Sequence, residues 1–146
     1  MPSLVELLEK VSLFSGLNQR QLRRLSRDFK QREFKPGMKP LKEGLMGGIG
    51  FYVITDGEAM VSRGGRELAR LGPGDHFGEL ALISDRARTA TVTAETDVRA
   101  VMLTSWDFKE FVRENPDVAW KLLQHVVGLL ADAEEKGGAA GAAPPR

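Results

Sequence analysis

Cysteine is absent from the 146 residues. Disulfides, thiol nucleophiles and cysteine-ligated zinc are therefore excluded, which fits a reducing compartment. Histidine occurs only at His76 and His125. A cupin-type metal barrel needs several histidines and a glutamate around one ion, so both read as structural or solvent-exposed, and no metal is expected. No apolar run reaches the roughly 18 residues of a membrane span. Residues 1–10 are charged every few positions and lack the apolar core of a secretory signal; the expected location is the cytoplasm. An excess of one charge is also missing. Lys and Arg number 21 against 20 Asp and Glu, a net +1 that attracts neither nucleic acid nor anionic membrane overall. No Ser-His-Asp set or paired-carboxylate set emerges, so no catalytic residue is assigned and no enzyme is expected. Residues 47–50 are glycine-rich but lack the G-x-G-x-x-G order of a dinucleotide loop.

What is present is enough apolar side chain, 42%, for one real core. Leu4, Leu7, Leu8 and Val11 fall at helical spacing and predict a short amphipathic helix. After a break at Ser15-Gly16, Asn18 with Gln21 three residues on predicts a capped second helix bearing Leu22, Leu25 and Phe29. From about residue 31 the period changes. Short runs alternate with turn signals at Lys35-Pro36-Gly37, Glu43-Gly44, Asp56-Gly57, Gly64-Gly65 and Gly72-Pro73-Gly74. Asp-Gly and Gly-Gly between apolar runs signal hairpins, and the regular spacing predicts an antiparallel sandwich or barrel. Strands are also expected at 91–94 and 98–103. Pro40 removes a ladder donor, so residues 38–41 should form a short or edge strand.

Helices return at the end. Thr104 and Asp107 signal a capping box. Asn115-Pro116 opens a long helix, with Pro at its first position, expected to run to about Glu135. Residues 137–146 are Gly, Ala and Pro-rich and read as a disordered tail, leaving one domain over 1–136. On the long helix, Trp120, Leu123, Val127 and Leu130 follow a 3-4-3 spacing. Val118, Leu122, Leu129 and Ala133 lie on another face. One face covers the barrel. The other either meets a second copy, giving a homodimer, or is buried within the chain.

The segment with most chemistry is Phe77-Gly78-Glu79-Leu80-Ala81-Leu82-Ile83, followed by Arg88-Thr89-Ala90-Thr91-Val92. Gly78 allows close backbone approach. One helical turn after it would offer free N–H groups to an anion. Arg88 carries a planar fork of donors suited to phosphate. Glu79 accepts hydrogen bonds from hydroxyls, and the Thr89 hydroxyl can donate to a phosphate or a base. A Glu and an Arg close in sequence are more often a surface ion pair, worth roughly 0–1 kcal/mol; the apolar and glycine context argues for a small anionic ligand instead.

This segment resembles the phosphate-binding cassette of the cyclic nucleotide-binding domains, the family of the catabolite activator protein and the protein kinase A regulatory subunit. The Glu79–Arg88 spacing matches without a gap, and the likeness extends over residues 4–135. It implies a mainly β fold with flanking helices: an antiparallel jelly-roll β-barrel with N-terminal helices and a C-terminal lid helix. It implies a non-catalytic sensor with cAMP, or else cGMP, as ligand and no further cofactor. By the resemblance, Glu79 would hold the ribose with Gly78 and Leu80. Arg88, Thr89 and the backbone N–H groups of Ala81 and Ala90 would hold the phosphate. Val61, Leu68 and Ala69, with Leu129 and Ala133 of the lid, would meet the base. The chain departs from the family pattern at residues 38–41, in the apolar loop 45–50, and at Ala87, where Pro is usual. A ligand-independent interaction module on the same fold is the alternative reading. No nucleic-acid-binding or effector domain is visible; either the signal passes to a separate protein or the chain is a fragment of a longer one, and the downstream effector is unidentified.

Overall fold

The computed structural model describes residues 2–42, 50–84 and 90–139. Helix α1 (Leu4–Glu9) leads through a 3-10 turn at Ser12–Phe14 into helix α2 (Gln19–Ser26). Each helix starts where a side chain can accept an otherwise orphaned N–H. Ser3 accepts from Glu6 and Asn18 accepts from Gln21, and both caps have the reciprocal bond of a capping box. α2 stops at Ser26, so Phe29 lies beyond it, although its ring still packs on the same core.

Among the described residues seven strands follow: β1 (Lys30–Phe34), β2 (Gly50–Asp56), β3 (Ala59–Arg63), β4 (Arg66–Leu71), β5 (His76–Phe77), β6 (Thr91–Ala94) and β7 (Val98–Thr104). They form two antiparallel sheets, ordered β1-β7-β2-β5 and β4-β3-β6. Gly64-Gly65 closes the expected β3–β4 hairpin, with Arg63 opposite Arg66. Asp56-Gly57 closes no hairpin, because β2 and β3 belong to different sheets. Gly57 instead turns the chain between sheets at φ +90, and a Cβ there would lie 2.1 Å from the Asp97 carbonyl oxygen. The dipeptide specifies a positive-φ turn; which strands then pair is decided by packing. Residues 37–41 run beside β6 through Gly37 N–H to Ala94 O, Ala94 N–H to Met38 O and Val92 N–H to Leu41 O. Only the Leu41–Val92 pair completes a bridge, as expected around Pro40.

The four-stranded sheet is buried on both faces, which explains the unbroken apolar run of β2. Phe51 and Val53 point to a core shared with Leu8, Phe14, Leu25 and Phe108. Tyr52 and Ile54 alternate to the opposite face, among Phe77, Val92, Ala100 and Met102. Helices thus cover one side of the sheet and the three-stranded sheet covers the other. The result is a jelly-roll-like sandwich; among the described strands no pairing closes the two sheets into one barrel.

Helix α3 (Ser105–Glu114) starts with Thr104 accepting from the Asp107 N–H, and Asn115-Pro116 begins α4 (Pro116–Ala139). α4 continues past Glu135, so residues 137–139 are helical rather than part of the expected tail; residues 140–146 lie outside the described residues. Its first turns are anchored: Val118 and Leu122 are buried, and Ser12 Oγ meets His125 Nε2 at 3.1 Å. Gln21 fixes the same end. It is buried, donates to Asp117 Oδ2 (2.9 Å) and accepts from Lys121 Nζ (3.1 Å) and the Asn18 N–H (3.1 Å).

Candidate functional site

Three backbone segments meet where β5 ends. Gly78 has φ +84, and a Cβ on it would fall 2.7 Å from the Gly50 carbonyl oxygen. Gly50 in turn packs on β7, where a Cβ would fall 2.3 Å from the Leu103 carbonyl oxygen. Only glycine fits either position. The turn that follows, Glu79–Leu82, is a single 3-10 turn. Phe77 anchors it from the inner side, stacked on Tyr52 with ring centroids 4.8 Å apart. Buried Ala81 and Leu82 anchor it from the other.

Glu79 is thereby held half-buried at the start of a fixed turn. Its Oε2 lies 3.2 Å from His76 Nδ1. That hydrogen bond holds the carboxyl below its ordinary value, helped by its own backbone N–H and the charge of His76, against the opposing effect of burial. The site therefore offers an ionised acceptor at neutral pH, rigidly aimed.

His76 itself read as an isolated structural or exposed residue. It is half-buried, paired with Val53 across β5–β2, and its ring lies 5.5 Å from Phe51. Its three-residue spacing from Glu79 is the signal that could have linked the two. His125 holds α4 to the first 3-10 turn.

The other expected site residues are distributed unevenly. Ala81 is beside Glu79, but its N–H closes the turn onto the Gly78 carbonyl at 2.9 Å and is not a free donor. Leu80 lies in the turn. Ala90 is half-buried immediately before β6. Arg88 and Thr89, the apolar loop 45–49, the Glu43-Gly44 turn and Ala87 lie outside the described residues. Val61 stands opposite Ala69 on one side and Val92 on the other, so these three share one sheet face. Leu68 is the extra residue of a bulge between the Val61–Ala69 and Ser62–Glu67 pairs and is half-exposed. Leu129 and Ala133 are exposed on the distal part of α4, where Leu129 has 52% of its surface free. The structure brings Gly78, Glu79, Leu80 and Ala81 together, and Val61 with Ala69; it does not pack Leu129 and Ala133 against them.

Among the described residues no group of three or more His, Asp or Glu could hold a metal ion, and no helix is long and apolar enough to cross a membrane.

A family model described as the cyclic nucleotide-binding domain matches residues 31–115. A cGMP-dependent protein kinase of Toxoplasma gondii is 40% identical over 62% of this chain and 9% of its own length. A cAMP-dependent protein kinase regulatory subunit of Hypocrea atroviridis is 35% identical over 84% of this chain and 24% of its own. The chain thus spans a quarter or less of these two relatives. Among solved structures, the N-terminal domain of a transcriptional regulator from Streptomyces coelicolor A3(2) superposes with a TM-score of 0.76 at 32% identity, covering 88% of this chain and 95% of that one.

Proposed function

The chain belongs to the cyclic nucleotide-binding domain family, and from that premise we propose that it is a non-catalytic sensor of cAMP or cGMP. The observation that carries the reading is the Gly50–Gly78 backbone contact that presents the ionised Glu79 carboxylate from a tight turn. That carboxylate accepts the ribose 2′-hydroxyl, beside Gly78 and Leu80. Arg88 and Thr89, with the Ala90 N–H, take the cyclic phosphate. Val61, Ala69 and Leu68 take the base. Neither a metal nor a second cofactor enters the interaction. One relative is named for cGMP and another for cAMP, which supports a cyclic nucleotide and leaves the base open.

The exposed distal half of α4 supplies the response. A nucleotide that gains contacts to Leu129 and Ala133 only when α4 closes over it shifts the population towards the closed helix. Trp120, Leu123, Val127 and Leu130 are each more than half exposed, and this 3-4-3 stripe supports pairing of α4 with a second copy. The reading includes a cytoplasmic location and a downstream effector that is still to be identified.

Isothermal titration of the wild type and Arg88→Ala with cAMP and cGMP tests the site. Saturable binding by the wild type, weakened at least about thirtyfold in the variant by the unpaired phosphate, is the expected result. Equal heats for the two proteins would sink the assignment.

A further inference from the structure

α2 breaks local rules for a solvated helix. Arg20, Arg23, Arg24 and Arg27 place four like charges at three- and four-residue spacings, where they repel one another. Arg20 also sits in the first turn, where the helix dipole disfavours a cation, and no acidic residue offsets it there. Of these four, only Arg24 has acidic partners among the described residues, Asp28 (3.2 Å) and Glu114 (2.9 Å). Arg20, Arg23 and Arg27 are exposed and form no ion pair with any described residue. Their spacing puts all three on one helix face, spread over about 10 Å of its axis. In a chain with a net charge of only +1, this is clustering and not general basicity.

The cluster is also concave. The four arginines form one wall of a groove of about 780 Å³, and the α3–α4 junction forms the other. The acidic groups of that second wall are already engaged: Glu114 with Arg24, and Asp117 with Gln21 and Lys121. A concave wall concentrates the positive potential of the free guanidinium groups. Asn18 and Asn115 each use one side-chain atom in a cap, towards the Gln21 N–H and the Phe111 carbonyl. The other atom of each carries no hydrogen bond with a described residue and can meet a peptide group.

We propose that this groove between α2 and the α3–α4 junction docks an acidic peptide segment of a partner protein, with its carboxylates on Arg20, Arg23 and Arg27. Guanidinium forks match carboxylates in bidentate geometry. Nucleic acid fits less well, because no aromatic side chain lines the groove to stack a base. A lipid surface fits less well again, because the groove is recessed and has no apolar side chain to insert.

Fluorescence anisotropy tests the assignment on the full chain, using a labelled alanine-based peptide with glutamates at positions i, i+3 and i+7. The comparison probes are its glutamine counterpart, a single-stranded oligonucleotide and anionic phosphatidylserine vesicles. The wild type should bind the glutamate peptide saturably, more weakly as salt rises, and should not bind the glutamine peptide. The triple variant R20E/R23E/R27E should weaken binding at least about tenfold. These side chains are exposed, so the circular dichroism spectrum should not change. K39E/R66E/K109E makes the same change in net charge on exposed residues outside the groove and should bind as the wild type does. The inference fails if the two triple variants lose binding equally, if the glutamate peptide does not saturate at low salt, or if the oligonucleotide or vesicles bind more tightly. None of these outcomes depends on cyclic nucleotide binding.

Discussion

His76 Nδ1 and Glu79 Oε2 lie 3.2 Å apart across the turn that presents the carboxylate. The ring is itself fixed, by β5–β2 pairing and by Phe51 at 5.5 Å, so it orients Glu79 rather than following it. The hydrogen bond lowers the Glu79 pKa from its ordinary 4.5. A carboxyl whose folded pKa lies below its unfolded one stabilises the fold when ionised. That contribution is complete above about pH 4.5 and is lost as pH falls through the folded value. The wild type should therefore be more stable than Glu79→Gln at neutral pH, with the gap closing in acid. Carboxyl carbon NMR should show the Glu79 titration moving up towards its ordinary range in His76→Ala. An unmoved titration would mean that the histidine does not control the carboxylate.

Gly78 and Gly37 separate strain from collision. Both have positive φ, +84 and +89, but a Cβ at Gly37 meets nothing within 4 Å while one at Gly78 meets the Gly50 carbonyl oxygen at 2.7 Å. Gly37→Ala should cost roughly 1–2 kcal/mol from backbone conformation alone. Gly78→Ala should cost at least about 1 kcal/mol more and should also displace the Glu79 turn. Urea denaturation of the two variants gives the difference directly; equal losses would show that the Gly50 contact relaxes freely.

The legible parts of the chain were those governed by local rules. Asn18 with Gln21, Thr104 ahead of α3, and Pro116 at the start of α4 are caps and starts that need only a few neighbouring residues. The Gly78–Glu79 turn was legible because a glycine and an acceptor in an apolar run have few other uses. Distant partners were not legible. Asp56-Gly57 looks the same in sequence whether the flanking strands pair or part to different sheets. His76 has no local mark beyond its spacing to Glu79, since its value comes from Phe51 and Val53 on another strand. The Ala81 N–H could be counted as a free donor until the turn closed on the Gly78 carbonyl. The register of β3 with β4, which puts Val61 beside Ala69 and leaves Leu68 in a bulge, depends on both strands at once.

Gln21 shows how a local signal can acquire a distant role. As a capping residue it needs only Asn18, yet it also joins α2 to Asp117 and Lys121 of α4. Gln21→Ala would leave the Asn18 capping box half-made and remove the bond that holds the Asp117 carboxyl below its ordinary value. The expected loss is roughly 1–3 kcal/mol, larger than for Gln19→Ala on the exposed side of the same helix. Thermal denaturation of the two variants checks this, and equal melting temperatures would reduce Gln21 to an ordinary surface cap.

α4 divides into an anchored half and a free half, and the proposed sensor uses the division. Val118 is fully buried, so Val118→Ala should cost roughly 1.5–3 kcal/mol of stability whether or not nucleotide is present. Leu129 is half-exposed, so Leu129→Ala should change the stability of the free protein by less than about 0.5 kcal/mol. If Leu129 meets the base when α4 closes, the same substitution should weaken cAMP binding by roughly 1 kcal/mol, about fivefold. Hydrogen exchange gives an independent reading: amides beyond Val126 should exchange quickly in the free protein and slow when cAMP saturates it. If cAMP binds and protects the Glu79 turn but leaves the distal helix unchanged, the nucleotide occupies the cassette without moving α4, and the response must leave the domain by another route.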